Sequence, residues 1–203
     1  MSFVRYLGCG TGRLGCSLVE RGHPVTGVGP AAAMLTVAKA KPHGEHVEWV
    51  ESSAQTYKSQ QRFDLIVMTG HAFQILLTDA DALAVLGTMR AHLKQGGRVA
   101  FETRNPRVDW ASEWAARPHR MLPGGQVVET LKITGGVGEF ISFQTFYRFP
   151  HETLTTSSKL RFPSRERLEA LIRLIVHDIF GDWDASPFVS AHAREIIVVA
   201  ELA

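Results

Sequence analysis

Hydrophobic residues in the first half of the chain follow two alternating patterns, one typical of strands and one typical of helices. Short apolar runs such as Phe63–Met68 suit buried strands, and the stretches between them carry apolar residues at helical spacing. In the clearest helical stretch, Asp79–Leu93, the residues Leu83, Leu86 and Met89 recur at intervals of three residues. The pattern therefore predicts strands and helices in alternation. The predicted strands are Phe3–Leu7, Val25–Val28, Val47–Val50, Phe63–Met68 and Arg98–Glu102, and the predicted helices are Arg13–Arg21, Ala31–Lys41 and Asp79–Leu93.

Alternating strands and helices are typical of a parallel sheet that is covered on both faces, with right-handed crossovers. Ligands of such sheets bind beyond the carboxyl ends of the strands. Residues that follow the predicted strand ends should therefore meet in one cleft, although they are far apart in sequence. They are Gly8–Gly12, Gly29, Ser53, Thr69–His71 and Thr103–Asn105.

The pattern changes in the second half of the chain. After a loop-like stretch, Asn105–Gly125, three β segments predict an inserted small antiparallel β segment at about 126–162, within a subdomain at about 106–162. These segments are Gln126–Ile133, Phe140–Phe149 and Thr153–Phe162. A helix, Arg165–Leu174, should follow, and Ile175–Phe180 with Glu195–Ala200 should form an antiparallel hairpin at the sheet edge. We expect residues 1–203 to form a single α/β domain, Rossmann-like and doubly wound, whose mostly parallel sheet has an antiparallel edge strand.

Composition narrows the class of protein and of partner. The 203 residues are 45% hydrophobic and 21% charged, as in an ordinary folded protein. A net charge of +2 without a Lys/Arg cluster does not indicate a nucleic-acid or membrane surface, so we expect neither partner. No apolar run is long enough to span a membrane, and we expect no signal peptide because Met1-Ser2 leads directly into the first predicted strand. The two cysteines, Cys9 and Cys16, are poor disulfide partners and belong to no metal set, which indicates a cytoplasmic protein without a metal.

A glycine-rich loop, Gly8-Cys9-Gly10-Thr11-Gly12, lies between the first predicted strand and the first predicted helix. Glycines let a backbone approach a ligand closely, and a helix N-terminus offers free N–H groups. This layout indicates a nucleotide-cofactor site. The dinucleotide motif of nicotinamide oxidoreductases needs a further glycine at position 13, which is Arg13 here, so that alternative is disfavoured.

In order and spacing, the chain resembles the class I S-adenosylmethionine-dependent methyltransferases. The resemblance is carried by Leu7–Gly12, Val25–Val28 with Pro30 and Met34-Leu35, Phe63–Met68 and Leu93–Arg98. Segments 68–74, 102–106 and 181–188 resemble a small-molecule type. The resemblance implies methyl transfer from S-adenosylmethionine to a small-molecule substrate by a monomer or homodimer. The implied cofactor-binding residues are Gly8, Cys9, Gly10, Thr11, Gly12, Gly29, Pro30, Met34, Ser53, Ala54 and Thr69.

The same strand ends supply candidates for catalysis and acceptor binding. His71 is a candidate general base because histidine titrates near neutral pH, and the alternative is a loop histidine bonded to the backbone. The candidate substrate contacts are His71, Phe73, Arg104, Asn105, Asp182 and Trp183. Structural alternatives are an ion pair of Glu102 with Arg104, and a turn at Asp182–Asp184 whose Asp side chains bond the backbone. Packing is the expected role of Trp110 and Trp114, and the more expected one for Met34.

The chain also departs from the family it resembles. Tyr6, Gly29 and Ser53 stand where the family usually has acidic residues that bind the cofactor. Each missing carboxylate removes charge-assisted hydrogen bonds of about 1.5–3 kcal/mol. The family's helices before the first strand are also missing, which suggests a misplaced start or a shortened paralogue without that lid. The alternative function is therefore a degenerate, non-catalytic protein that keeps the fold and binds a ligand or partner.

Overall fold

The computed structural model describes residues 2–116, 120–121, 127–172 and 175–202. Its strands are β1 (Val4–Leu7), β2 (Val25–Gly29), β3 (Glu48–Glu51), β4 (Phe63–Met68), β5 (Leu93–Arg104), β6 (Arg120–Met121), β7 (Val128–Val137), β8 (Phe140–Arg148), β9 (Thr153–Arg161), β10 (Ile175–Phe180) and β11 (Glu195–Glu201). Its α-helices are α1 (Arg13–Glu20), α2 (Ala32–Lys39), α3 (Asp79–His92), α4 (Trp110–Ala115) and α5 (Arg165–Leu171).

The main sheet has the strand order β10-β11-β5-β4-β1-β2-β3. β1 pairs in parallel with β2 and β4, and β4 pairs in parallel with β5. All residues of β1 and β2 are buried, as expected for central strands that helices cover on both faces. β11 runs antiparallel to β5 and to β10, so a hairpin completes this edge of the sheet. The predicted mostly parallel α/β fold with an antiparallel edge is confirmed.

The structure adds a helix that the sequence did not predict and moves the boundary between α3 and β5. Helix α4 lies inside the predicted loop Asn105–Gly125, where the side chain of Asp109 caps it by accepting a hydrogen bond from Ser112 N. Leu93, expected to end α3, has extended backbone and begins β5. The predicted strand start at Gln126 and helix end at Leu174 lie outside the described residues.

A second, antiparallel sheet has the order β6-β7-β8-β9, which confirms the predicted small antiparallel insertion. Trp110, Trp114 and Phe162 are buried together beneath it, which confirms the packing role of both tryptophans. Arg161, at the end of β9, is buried and donates hydrogen bonds to Asp79 at 2.7 Å and to Glu139 at 2.8 Å. The insertion is therefore tied to the start of α3. The subdomain bounds at 106–162 and the single-domain assignment stay predictions.

The centre of the main sheet holds a buried arginine, Arg5 of β1. Its side chain is 0% exposed, donates to the Tyr57 hydroxyl at 2.8 Å, and lies between the rings of Tyr57 and Phe63, 3.9 and 3.7 Å from their centroids. Its Nε and Nη1 atoms have no hydrogen-bond partner. Burial lowers the pKa of Arg5 from 12.5 to about 10, so the group stays charged at neutral pH inside an apolar layer.

Candidate functional site

A cleft with a volume of about 520 Å³ opens at the carboxyl ends of β1, β2, β4 and β5. Volumes of this size are typical of small-molecule sites. One wall is lined by Gly8, Gly10, Gly29, Pro30, Ala31 and Met34. The other wall is lined by Gly70, His71, Ala72, Ile75 and Arg104, with Leu160 from the insertion. The strand ends that sequence analysis expected to converge therefore do so, apart from the segment at Ser53.

The glycine loop serves two purposes. Gly10 has a φ of 52°, a conformation that favours glycine, and nothing lies within 4 Å of the position a Cβ would take. It therefore presents open backbone to the cleft. A Cβ on Gly12 would lie 2.4 Å from the ring of Trp49, so Gly12 is required for packing of the loop against β3.

Five of the predicted cofactor residues line the cleft: Gly8, Gly10, Gly29, Pro30 and Met34. Met34 is 50% exposed, so the expectation that it packs in the core is wrong. The remaining predicted cofactor residues lie away from the cleft wall and make contacts within the protein.

Cys9 is buried, and burial raises the pKa of its thiol to about 11, so it stays protonated. The Thr11 hydroxyl accepts a hydrogen bond from Lys41 Nζ at 3.0 Å. The Ser53 hydroxyl pairs with that of Thr56 at 2.8 Å, and Ala54 belongs to the main core. These contacts place all four side chains in loop or core packing.

Tyr6 and Gly29 are two of the positions at which the resembled family usually has an acidic residue, and the structure shows the surroundings of each. Tyr6 is buried and its hydroxyl accepts a hydrogen bond from Thr69 Oγ1 at 3.2 Å. Burial raises the pKa of Tyr6, so this position carries no charge at neutral pH. A Cβ on Gly29 would lie 3.1 Å from Cys9 Sγ, which leaves tight but adjustable space for a side chain. Among the described residues that line the cleft there is no carboxylate, and Arg104 and His71 are the ionisable groups.

The open, apolar lining of the cleft suits an adenosyl-type cofactor, but the lining lacks the carboxylates that would bind the cofactor's polar groups. The open backbone at Gly10 and the apolar surface of Pro30 and Met34 suit a nucleoside. The residues present therefore fit such a cofactor through backbone and apolar contacts, without the carboxylates that would bind its hydroxyls and ammonium. The described residues also contain no group of three or more His, Cys, Asp or Glu side chains that could hold a metal ion.

His71 lies at the opposite wall of the cleft, and its backbone N–H and both ring nitrogen atoms have polar contacts. Its φ of 62° is unusual for a residue with a side chain, and its backbone N–H donates to Glu102 Oε1 at 2.8 Å. Its Nε2 lies 3.0 Å from Glu195 Oε1, and its Nδ1 lies 3.3 Å from an Nη of Arg104. The ring of His71 lines the cleft and contacts side chains rather than the backbone, and its role as a general base stays a prediction.

Arg104 is a fixed positive charge in the cleft wall. Its Nη1 donates to Gln74 Oε1 at 2.8 Å, and its guanidinium carbon lies 5.1 Å from the ring centroids of Trp110 and Trp114. Glu102, the partner that sequence analysis considered for it, instead accepts from the His71 backbone and from the Trp183 indole. Helix α4 beneath the insertion therefore orients a cation that faces the cleft.

The other predicted substrate residues have structural contacts. Phe73 is buried and stacks on Phe101 with ring centroids 4.6 Å apart. The Asn105 side chain is buried and donates to the carbonyl groups of Ser190 and Ala193. Both residues are therefore outside the cleft wall.

The turn at Asp182–Asp184 matches the structural alternative. Asp182 Oδ1 accepts from the Trp183 backbone at 2.7 Å, and Asp184 Oδ1 accepts from Ser186 N at 2.8 Å. Hydrogen bonding by Ser186 lowers the pKa of Asp184. Trp183 is half exposed, and its indole N–H donates to Glu102 Oε2. The turn thus supports Glu102, which in turn supports His71.

Sequence reasoning missed Glu195 and Gln74. Glu195 is the first residue of β11 and lies opposite Arg104 in the antiparallel register, a pairing that only the folded sheet reveals. Gln74 follows two residues after Ala72 in a short 3₁₀ turn and is 0% exposed. A buried polar residue in a loop carries no sequence pattern that identifies it.

Sequence comparison finds one relative along almost the whole chain and others along its first half. Residues 4–97 match the family model described as a methyltransferase domain. Over 211 residues, the chain is 25% identical to the cypemycin N-terminal methyltransferase of Streptomyces sp, covering 96% of this chain and 81% of that protein. Other curated relatives match over 101 to 104 residues, which is 41–44% of their own length.

Solved structures share the fold. The CcbJ methyltransferase from Streptomyces caelestis superposes with a TM-score of 0.83 at 18% identity, covering 100% of this chain and 84% of that one. CalS10 with bound SAM, an amino pentose methyltransferase from Micromonospora echinaspora, superposes with a TM-score of 0.69 at 20% identity and the same coverage.

Proposed function

We propose that this chain, whose residues 4–97 match the family model described as a methyltransferase domain, transfers a methyl group from S-adenosylmethionine to a small molecule. One observation carries the proposal. The open glycine backbone at Gly10 and the ring of His71 line the same cleft, so a cofactor and a proton acceptor would lie side by side.

The proposed division of labour follows the two walls. Gly8 and Gly10 would approach the cofactor through their backbone, and Pro30 and Met34 would contact its base. The bound cofactor supplies an electrophilic methyl group. Ile75 and Leu160 would exclude water from the transfer, which depends chiefly on alignment and desolvation. His71 would receive the proton of an acceptor that carries one.

The acceptor is proposed by class only. The name of the curated relative refers to an N-terminus, and that of CalS10 refers to an amino sugar, so amines are the first acceptors to test. Alcohols form the second class. We further propose a location in the cytoplasm, which the free thiols of Cys9 and Cys16 support, and a monomeric or homodimeric state. No helix within the described ranges has the length and apolar character needed to cross a membrane.

Calorimetric titration with S-adenosylmethionine and S-adenosylhomocysteine tests the proposal. We expect binding in the micromolar range, followed by transfer of labelled methyl to members of an amine and alcohol panel. The absence of heat with both ligands at millimolar concentration would contradict it.

A non-catalytic role is the second candidate. It is favoured by the lack of charge on the cleft wall that contains Gly10, Gly29 and Met34. Tyr6 and Gly29 leave the cofactor's ammonium and ribose hydroxyls without carboxylate partners in the described cleft lining. Micromolar binding of S-adenosylmethionine with measurable transfer would exclude this role.

A further inference from the structure

The polar side chains of the second cleft wall converge on the ring of His71. Glu195 Oε1 lies 3.0 Å from Nε2, and Arg104 lies 3.3 Å from Nδ1. The two partners are directly opposite each other where β11 pairs with β5. The sheet register therefore places a carboxylate and a guanidinium on the two nitrogen atoms of one imidazole.

This arrangement determines where the ring proton resides. Arg104 has only N–H donors, so His71 Nδ1 must be the acceptor of their hydrogen bond. The ring proton of neutral His71 then lies on Nε2 and is donated to Glu195. His71 is thus the Nε2–H tautomer, and the lone pair of Nδ1 is the ring atom that can receive a proton.

We propose that Glu195 is a positioning residue that holds His71 so that Nδ1 receives the proton from an N–H or O–H group of the acceptor. The inference rests on the proposed function. The N–H group of Arg104 occupies the place that the acceptor's donor would take. Its contact of 3.3 Å is longer than the 3.0 Å contact of Glu195, so the bond to Arg104 is the one that an acceptor replaces, while Gln74 keeps hold of Arg104 Nη1.

The proton and electrons balance in this step. The lone pair of the acceptor's nitrogen or oxygen forms the new bond to the methyl carbon. The carbon–sulfur bond breaks and its electron pair stays on sulfur, while the acceptor's proton passes to Nδ1. The imidazolium then lies beside the positive Arg104, and the negative charge of Glu195 offsets that repulsion. The charge of Glu195 is therefore required as well as its hydrogen bond.

The side chain of Glu195 also contains a buried polar atom that should destabilise the fold. Its Oε2 atom is buried and has no hydrogen-bond partner. Buried carboxylate oxygens are rarely left unpaired, and the exceptions need an explanation such as a functional role. A residue that served only to fill space at the start of β11 would not need a carboxylate there.

The chain contains a matched control on the same strand. Glu201, at the other end of β11, lies 2.7 Å from His177 Nε2. Residue type, strand and histidine atom are the same, but this pair lies at the opposite end of the strand from the cleft. Substitution of Glu201 therefore reports what the loss of a Glu–His contact does without the proposed role.

Imidazole ¹H–¹⁵N spectra of the full chain test the positioning without any cofactor. In the wild type we expect His71 to have a protonated, far-downfield Nε2–H and an unprotonated Nδ1. Glu195→Gln should retain this signal because its amide oxygen still accepts, whereas Glu195→Ala should lose it to exchange with water. Glu201→Ala should leave His71 unchanged, and His71→Asn, which tolerates the positive φ, assigns the resonance.

The outcomes are decisive. A proton on Nδ1 in the wild type, or an unchanged Nε2–H signal in a folded Glu195→Ala variant, overturns the inference. With an acceptor from the amine and alcohol panel, Glu195→Gln should lower kcat by about 100-fold and leave the acceptor's KM unchanged. An unchanged kcat overturns the inference as well. A wild type without methyl transfer would instead contradict the proposed function, and the spectra would still decide whether Glu195 positions His71.

Discussion

The two walls of the cleft are built in opposite ways. The wall at the ends of β1 and β2, called the cofactor wall because we propose that it binds the cofactor, consists of glycine backbone and apolar side chains, and no carboxylate of the described lining residues faces it. The opposite wall, called the acceptor wall because we propose that it binds the acceptor, lies at the ends of β4 and β5 and the start of β11 and carries hydrogen-bonded ionic groups around His71. The difference shows that a recognisable sequence motif and a network of polar side chains can lie on different walls of one cleft. The glycine motif lies on the wall with few polar groups, and the assembled polar network lies on the other wall, where Glu195 belongs to no motif.

Filling the open backbone of the cofactor wall should have the largest effect. A valine side chain at position 10 would project into the space that a cofactor needs, because nothing in the protein occupies it. We expect Gly10→Val to weaken binding of S-adenosylhomocysteine at least 100-fold, or about 3 kcal/mol, in a calorimetric titration.

Gly22→Val is the matched control for the backbone strain. Gly22 also has a positive φ and open space around a Cβ position, but it is not among the residues that line the cleft. Equal loss of affinity in both variants would contradict the assignment of Gly10 to the cofactor wall.

Restoring a charge to the cofactor wall should have the next largest effect. Gly29→Asp would place a carboxylate at the end of β2, where the Cys9 sulfur must shift by a few tenths of an ångström. A charge-assisted hydrogen bond of about 1.5–3 kcal/mol corresponds to a gain of roughly 10- to 100-fold in affinity for S-adenosylmethionine.

Gly29→Asn has the same shape without the charge and should gain much less. Calorimetry on the two variants separates charge from shape. An affinity that is the same in Gly29→Asp and the wild type would show that the wall does not bind the cofactor's hydroxyls.

Weakening the outer support of the acceptor wall should have the smallest effect. Trp183→Phe removes the indole N–H that donates to Glu102 and keeps most of the ring. We expect the free energy of unfolding in urea to fall by about 1 kcal/mol, because the indole is half exposed and water can replace the donor.

Asp182→Asn serves as its control, since the amide oxygen can still accept from the Trp183 backbone. It should unfold at the same urea concentration as the wild type. A Trp183→Phe variant with unchanged stability would show that the turn does not support Glu102.

The fold was predictable because its signals are local. Strand and helix periods, with the turn signals between them, identify most elements of the main sheet near their observed bounds, as in Phe63–Met68. Helix α4 was missed because its six residues are too short to show a helical period, and its aromatic residues are explained by packing against Phe162.

The site was only partly predictable because its polar contacts are not local. His71 and Arg104 could be named as neighbours of strand ends. Glu195 lies 124 residues from His71 and reaches it through the register of β11 against β5, for which one sequence gives no signal. Thr11, Ser53 and Ala54 follow the family's spacing, yet their side chains are taken up by local packing.

The buried charge of Arg5 has a consequence for experiments on either wall. Its side chain is fully buried with two nitrogen donors, Nε and Nη1, unpaired, and such a group weakens the folded state. We therefore expect Arg5→Leu, a single change to an apolar residue, to raise the free energy of unfolding without changing any residue that lines the cleft. Proteins with spare stability accept destabilising changes elsewhere, so the Arg5→Leu background would let the strained or charge-altering cleft variants fold and be measured.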